Sequence, residues 1–180
     1  AHHPAMVMWH IGNEYGQVCS CDLCAAEFRT WLRRRHGTID ELNRAWGTTF
    51  WSQRYDDWSE VVPPRAAPYL VNPTQVLDHR RFASDRLLAL YTEQRDLVRA
   101  HAPHVPVTTN FMGFHHATDY ARWSGEVDVV ADDNYGDPAD AESRVLQALS
   151  HDLMRSLGGR APWLLMEQAV GAFNWRPHNV

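Results

Sequence analysis

The sequence predicts an α/β fold in which short parallel strands alternate with longer helices. Two observations favour this fold class. Four continuously apolar runs are distributed along the 180 residues, and amphipathic segments long enough to form helices separate them. Each apolar run also ends in polar side chains. Continuously apolar strands are typical of parallel sheets covered by helices, because such strands are buried on both faces.

The first part of the chain predicts one strand and two helices. The strand lies within residues 5–13, which are almost continuously apolar. A helix is expected from Asp22, which suits an N-cap, to Gly37, which suits a helix end. Thr38 and Glu41 have the spacing of a capping box, so a second, shorter helix should begin there.

Residues 48–71 are rich in aromatic side chains and have no helical or strand periodicity. Long ordered loops of this kind tend to be functional in compact domains. Trp46, Trp51 and Trp58 are therefore candidates for a functional surface. The other tryptophans have plainer interpretations: Trp31, Trp123 and Trp163 are expected to pack in the core.

The clearest predicted helix begins at Asn72-Pro73, because Asn is a good N-cap and Pro is tolerated at the first helical position. Prolines at 103 and 106 should end it. Its buried stripe is predicted to comprise Val76, Leu77, Ala83, Leu87, Leu90, Tyr91, Leu97 and Val98.

Three more strands are predicted at residues 107–111, 127–135 and 162–168, with helices near residues 120–123 and 139–157 between them. The four strand–helix units average about 45 residues, whereas a complete (β/α)8 barrel takes about 250 residues in total. We therefore expect a partial (β/α)8 TIM barrel, comprising about strands 4 to 7 with their helices.

The composition narrows the classes of partner. The chain has 17 basic and 22 acidic residues, a net charge of −5, without a basic run, which argues against a nucleic-acid or anionic-membrane partner. No apolar run approaches the roughly 18 residues that span a bilayer. The chain begins with Ala1, and no leader-like segment follows. We expect residues 1–180 to be a fragment of a single catalytic domain whose N-terminal strands and last strand are missing.

All three cysteines lie within six positions, as Cys19, Cys21 and Cys24. Pairs this close make a poor disulfide framework, and three thiolates are a better beginning for a tetrahedral zinc site. The alternative is three reduced thiols without a metal. Either interpretation favours a reducing, cytoplasmic compartment. A fourth ligand must come from elsewhere: the nearest imidazoles are His2, His3 and His10, and the equal alternative is a cysteine upstream of this sequence.

Two glutamates, Glu14 and Glu167, end the first and last predicted strands, 167 − 14 = 153 residues apart. The carboxyl ends of parallel strands form the active-site face of α/β barrels. Two carboxyls across one pocket are what glycoside hydrolysis requires, since one protonates the leaving oxygen and the other attacks or activates water. The alternative is that one of them is an ordinary ion-pair partner.

The chain also resembles a known enzyme family. WHIGNEYG followed by CSCDLC resembles the acid/base segment of glycoside hydrolase family 42 β-galactosidases, and LLMEQAVGAFNW resembles their nucleophile segment. The agreement continues through residues 25–55 and 106–113, so it covers essentially the whole chain. The resemblance implies a retaining hydrolase of terminal β-D-galactose residues. Close alternatives are an α-L-arabinopyranosidase and an inactive sugar-binding or structural fragment.

Carried over residue by residue, the resemblance makes Glu14 the acid/base and Glu167 the nucleophile. Asn13 would bind the 2-hydroxyl of the sugar, Trp175 would lie against the sugar face, and Tyr135 would steady the nucleophile.

The resemblance also implies partners. The substrate would be a β-galactoside or galacto-oligosaccharide, and the full-length protein would be a homotrimer in which Trp51 approaches a neighbour's site. The three cysteines match the family's zinc-binding set, so a structural zinc is expected and no cofactor for catalysis. A catalytic metal is not expected at His115, His116 and Asp119. Adjacent strand residues such as Asp132 and Asp133 point to opposite faces, which argues against a shared metal there as well.

Overall fold

The computed structural model describes residues 3–67, 69–159 and 161–168. The residues form two compact units, Gln17–Arg86 and Ala1–Gly16 with Leu87–Val180, which are described separately. No helix in these ranges is long and apolar enough to cross a membrane. The elements are β1 (Trp9–His10), α1 (Asp22–His36), α2 (Ile39–Trp46), two 3-10 turns (Phe50–Ser52, Trp58–Glu60), α3 (Pro73–His101), β2 (Val107–Thr108), β3 (Asn110–Phe111), α4 (Tyr120–Trp123), β4 (Ala131–Asn134), α5 (Ala141–Leu157) and β5 (Leu164–Gln168).

All described strand pairs are parallel, which confirms the predicted α/β class. β1 pairs with β2, and β3, β4 and β5 pair in that order, so strands adjacent in the sheets follow one another along the chain. This order places the carboxyl ends of β1, β3, β4 and β5 on one edge. Their assignment to barrel strands 4 to 7 stays a prediction.

The strands are shorter than predicted. The run at residues 107–111 is interrupted at Thr109, which separates β2 from β3. β4 begins at Ala131, four residues later than predicted, because Asp128 is bound to Val107 through both its backbone and its side chain. The backbone N–H of Asp128 donates to the Val107 carbonyl, and its Oδ2 accepts from the Val107 N–H. The Asp128 side chain therefore replaces part of a regular ladder.

The core of the strand-containing unit is aromatic and aliphatic, and the long helix supplies part of it. Tyr91 and Trp123 are fully buried there, while Leu88 is 9% exposed. The predicted helical stripe is wrong in part, because Leu77, Leu90 and Leu97 are exposed. Leu90 lies about 200° around the helix from Leu88, on the opposite face. Apolar side chains lie on all sides of this helix, so the sequence alone does not show which side is buried.

The unit Gln17–Arg86 confirms the predicted helix ends. The Thr38–Glu41 capping box is present, and Gly37 ends α1 with φ +81°. Asn72 caps α3 by accepting from the Thr74 N–H at 2.9 Å. The predicted N-cap of α1, Asp22, is wrong by one residue. Cys21 occupies that position, and its side chain makes no capping hydrogen bond.

In the unit Gln17–Arg86, the buried carboxylate of Asp78 binds side chains from several helices. Asp78 is 1% exposed and accepts hydrogen bonds from Trp46 Nε1 at 2.9 Å and His36 Nε2 at 2.8 Å. Arg81 approaches the same carboxylate at 3.2 Å. Burial raises the pKa of Asp78, but these hydrogen bonds outweigh it and hold the pKa below its usual value. Trp46 is therefore anchored in the core, where it also lines a cavity of about 440 Å³.

Candidate active site

The carboxyl ends of the strands bring three acidic side chains together. Glu14, Asp133 and Glu167 each present one carboxylate oxygen, and these oxygens lie within 4.8 Å of one another. At an effective dielectric constant near 20, each pair of unit charges at that separation repels by about 3.5 kcal/mol. The three groups therefore favour holding at least one proton between them.

The register of β4 and β5 explains why Asp133 faces Glu167. Asp132 pairs with Leu165 and Asp133 pairs with Glu167, so Met166 has no counterpart on β4. Paired residues on neighbouring strands point to the same face of a sheet. The irregularity thus aligns the Asp133 and Glu167 side chains.

Asp132 points away from this cluster, as the sequence predicted for neighbouring strand residues. Its carboxylate accepts from the Gly113 N–H and the Ser150 hydroxyl, both at 2.9 Å. A metal shared by Asp132 and Asp133 is therefore not supported. Within the described ranges, the two groups of three or more metal-ligating side chains are the Glu14 cluster and the three cysteines, so His115 and His116 belong to neither.

Asn110, at the start of β3, connects the carboxyl cluster to the first strand. Its Oδ1 accepts from the Glu14 backbone N–H and from His10 Nε2, both at 2.9 Å. Its Nδ2 donates to Asp133 Oδ2 at 2.5 Å and lies 3.0 Å from Asn13 Oδ1. A longer contact of 3.4 Å reaches Glu167 Oε1. One buried amide, 2% exposed, thus orients groups from three strands.

The electrostatics of the site centre on Asp133. Burial, the charge of Glu167 and then that of Glu14 raise the pKa of Asp133 to about 7, against the lowering effect of the Asn110 bond. The side chain is 6% exposed, and among the described residues its Oδ1 has no hydrogen-bond partner.

Tyr135 contacts the same cluster through its hydroxyl, which donates to Glu167 Oε2. This hydrogen bond, followed by burial and the nearby negative charges, raises the pKa of Tyr135 to about 12. The phenol therefore remains a donor throughout the neutral range. Tyr135 therefore lies beside Glu167, and its role in steadying a nucleophile stays a prediction.

The backbone before Glu14 is shaped to aim its side chain. Glu14 has φ +50°, a left-handed conformation that non-glycine residues adopt rarely and at a cost of about 1–3 kcal/mol. Gly12 has φ +64°, and a Cβ there would lie 2.5 Å from the Tyr15 ring. Tyr15 itself is fixed by donating to Gln94 Oε1 at 2.8 Å. The strained turn is thus held by packing on both sides.

The other predicted sugar contacts are Asn13, Trp175 and Trp51. Asn13 is exposed, and its Oδ1 accepts from Asn110, which fixes one end of its amide. Trp175 lies outside the described residues. Trp51 belongs to the Gln17–Arg86 unit, where it is 56% exposed with φ +58°. There it contacts Phe50 and Tyr69 and borders a cavity of about 440 Å³.

The three cysteines form a compact group in the Gln17–Arg86 unit. Cys19, Cys21 and Cys24 are free thiols whose sulfurs lie within 4.8 Å of one another. Sulfurs bound to one tetrahedral zinc at 2.3 Å are about 3.8 Å apart, so the group fits three of the four ligands. No fourth ligating side chain joins it among the described residues. Of the predicted imidazoles, His2 is outside these residues, and His10 instead bonds Asn110.

Hydrogen bonds within this group give two of the thiols, Cys21 and Cys24, very different pKa values. Bonds from the Cys24 backbone and from the Cys19 thiol lower the pKa of Cys21 to about 7, whereas bonding to Cys19 and burial raise the pKa of Cys24 to about 12. Cys21 therefore ionises more readily than Cys24 and offers the readier thiolate of these two to a metal.

Sequence reasoning missed the roles of Asn110 and Asp133. Both are polar residues at the ends of predicted strands, and that position is the signal that could have identified them. Their function became visible only when the distances between strands were known.

Comparisons with known proteins agree with the resemblance found in the sequence. A family model described as β-galactosidase, glycoside hydrolase family 42, matches residues 1–180. The β-galactosidase LacZ of Heyndrickxia coagulans is 49% identical over 99% of this chain and 27% of its own length. BgaB of Geobacillus sp. (strain Y412MC61) is 46% identical over the same shares.

Solved structures are similar as well. The cold-adapted β-galactosidase from Rahnella sp. R3 is 39% identical, with a TM-score of 0.92 over 99% of this chain and 27% of that one. The β-galactosidase from Bacillus circulans sp. alkalophilus is 45% identical, with a TM-score of 0.89 over 98% and 27%. The chain thus spans about a quarter of the length of these relatives.

Proposed function

The chain belongs to glycoside hydrolase family 42, the β-galactosidase family whose model spans it entirely, and from that premise we propose that its protein hydrolyses terminal non-reducing β-D-galactose residues with retention of configuration. The described residues would be strands 4 to 7 of the catalytic (β/α)8 barrel. The substrate is a β-galactoside or galacto-oligosaccharide. The relatives named above, all β-galactosidases, support this substrate class.

The observation that carries the proposal is the short distance between Glu14 and Glu167. Their nearest oxygens are no more than 4.8 Å apart. Retaining glycosidases hold their two carboxyls about 5–5.5 Å apart, whereas inverting enzymes keep about 6.5–9.5 Å to leave space for water. A nearest-oxygen distance of at most 4.8 Å fits the shorter, retaining spacing, and together with the family membership it supports a double displacement through a covalent intermediate.

In this mechanism Glu167 attacks the anomeric carbon while Glu14 gives its proton to the departing glycosidic oxygen. The resulting galactosyl ester on Glu167 is then hydrolysed by a water from which Glu14 recovers a proton. Tyr135 and Asn110 hold the Glu167 carboxylate in position for attack. Pre-orientation of this kind lowers the entropic cost of the first step.

The remaining roles rest on the family resemblance. Asn13 would bind the sugar 2-hydroxyl and Trp175 the apolar sugar face. Trp51 would reach the site of a neighbouring subunit in a homotrimer. The cysteine group would hold a structural zinc, because thiolate sites are closed to substrate. Its reduced thiols are compatible with a cytoplasmic location.

The test uses the protein expressed from its complete reading frame and a chromogenic β-galactoside. Glu167→Gln should abolish turnover. Glu14→Ala should regain part of its activity when azide is added, because azide is a nucleophile that needs no general base. Glu126→Gln is the matched control, since this glutamate is paired with Arg95 instead of the cluster. Full activity in Glu167→Ala would contradict the mechanism.

Two further measurements separate the alternatives. Proton NMR of the first product should show β-galactose, and α-galactose would indicate inversion. Turnover of an α-L-arabinopyranoside with a higher kcat/KM than the galactoside would reassign the substrate.

A further inference from the structure

We propose that Asp133 is a positioning residue that keeps a proton on Oδ1 in the resting site and donates it in a hydrogen bond to the carboxylate of Glu167. The role deepens the proposed galactosidase reaction and rests on it. Asp133 makes no bond to the sugar in either displacement step. Its proton stays on Asp133 throughout, so nothing is consumed.

The geometry gives the two oxygens of Asp133 different environments. Oδ2 accepts from Asn110 Nδ2 at 2.5 Å, whereas Oδ1 has no partner among the described residues. Glu167 is the cross-strand neighbour on the same face, and one oxygen of each carboxyl lies within 4.8 Å of the other. A buried, unpartnered carboxylate oxygen is costly, whereas a hydroxyl at the same place can turn its proton toward the neighbouring Glu167 carboxylate and donate once the two oxygens approach to hydrogen-bond distance.

The charges around Asp133 favour the protonated form. Glu167 faces it from β5 and Glu14 from the segment after β1, and both raise its pKa. Asp132 points away on the same strand, and its charge also raises the pKa of Asp133, with a smaller effect than either glutamate. The phenols Tyr120 and Tyr135 lie within electrostatic range and are themselves affected by its charge. Burial has the largest effect of all, and Asn110 is the opposing donor.

A proton on Asp133 completes the set of donors around the nucleophile. Glu167 already accepts from Tyr135 at Oε2 and, at longer range, from Asn110 at Oε1. The Asp133 hydroxyl would be a third donor, so the carboxylate would be held from three directions. Loss of that proton would remove one donor and place a second negative charge beside the nucleophile.

The pH dependence follows with a definite sign. Because the pKa of Asp133 is raised to about 7, the proton is present below that pH and is lost as the pH rises through it. Activity that needs the neutral form should therefore decline on the alkaline side. Asparagine at this position mimics the neutral acid, with an oxygen for Asn110 and an N–H for Glu167, and it cannot ionise.

The experiment compares Asp133→Asn and Asp133→Ala in the protein expressed from its complete reading frame, with kcat and KM measured against pH. Near pH 6, Asp133→Asn should keep kcat within about threefold of the parent, and by about pH 8.5 the ratio of variant to parent should rise about tenfold. Asp133→Ala should lose about tenfold or more in kcat at both pH values, with little change in KM.

Asp132→Asn is the matched control, since it removes a neighbouring buried carboxyl that points away from the site. Its pH profile should keep an alkaline decline, moved slightly to lower pH because one of the charges that raise the pKa of Asp133 is gone. A pH profile of Asp133→Asn that superimposes on the parent would overturn the proposal, and so would a large loss at every pH, which would mean that Asp133 acts as an anion.

Difference infrared spectroscopy provides a readout that does not need turnover. The parent should show a protonated-carboxyl C=O band that disappears with a midpoint near pH 7 and is absent in Asp133→Asn. Without such a band, the proton is not on Asp133 and the proposal is wrong. If the band is present but the parent does not hydrolyse β-galactosides, the proposed function fails while the location of the proton stands.

Discussion

Replacing Asn110 with alanine should disable the site more than it disables the fold. The buried amide accepts from the Glu14 N–H and donates to Asp133, and alanine can do neither. The change leaves the Glu14 N–H and the Asp133 Oδ2 without their partner. Both groups lie at the point where Glu14 must meet the substrate.

The expected size follows from these two lost bonds. A buried polar group left unsatisfied costs about 1–3 kcal/mol, so two groups at about 1.5 kcal/mol each give a loss of about 3 kcal/mol in unfolding free energy. If correct placement of the carboxyls contributes about 3 kcal/mol more to the transition state than to the bound substrate, kcat should fall about a hundredfold, since about 1.4 kcal/mol corresponds to a factor of ten. KM should change little, because Asn110 orients the carboxyls.

Asn43→Ala is the matched control. Asn43 is 3% exposed, donates to the Tyr55 carbonyl at 2.7 Å, and accepts from the Tyr55 N–H and the Thr48 hydroxyl. It lies in the Gln17–Arg86 unit, outside the carboxyl cluster. Urea unfolding and steady-state kinetics should show similar stability losses in the two variants but a kcat loss in Asn110→Ala alone. Comparable kcat in both variants would refute this reasoning.

Three other predictions concern single side chains. Tyr135→Phe should lower kcat about tenfold, and the loss should be the same at every pH from about 6 to 9, because the Tyr135 hydroxyl of the parent stays protonated over that range. A loss that vanishes at high pH would contradict this. Cys21→Ser should lower the zinc content measured by mass spectrometry and the melting temperature without changing kcat/KM, whereas Ser20→Ala should change none of them. Asp78 has a lowered pKa, so its stabilising effect should be lost as the pH falls below about 4, and Asp78→Asn should abolish that pH dependence in urea titrations; an unchanged slope would show that the group does not contribute.

The parts of the fold that local chemistry dictates were predictable from sequence. The Thr38–Glu41 box, the Asn72 cap and the turn at Gly37 each depend on a few neighbouring residues. The meeting of Glu14 and Glu167 was also predictable, because parallel strands place their carboxyl ends on one edge.

The rest depended on contacts between distant segments. Asn110 acquires its role from Glu14, 96 residues earlier, and from Asp133, 23 residues later, and no local pattern encodes that meeting. Asp133 had been treated as one of two adjacent acids on a strand. Its raised pKa comes from burial and from charges on other strands, which a linear pattern does not contain.

The unpaired Met166 makes β5 sensitive to length as well as to composition. Asp132 pairs with Leu165 and Asp133 with Glu167, so removing Met166 would leave both pairs in an unbroken ladder with Glu167 still opposite Asp133. Adding one residue between Leu165 and Glu167 would instead move Glu167 one position along β4 and away from Asp133. Single-codon insertions in this strand should therefore be tolerated worse than a deletion of Met166, and an insertion-and-deletion scan scored by activity would reveal the nucleophile's location without any substrate analogue.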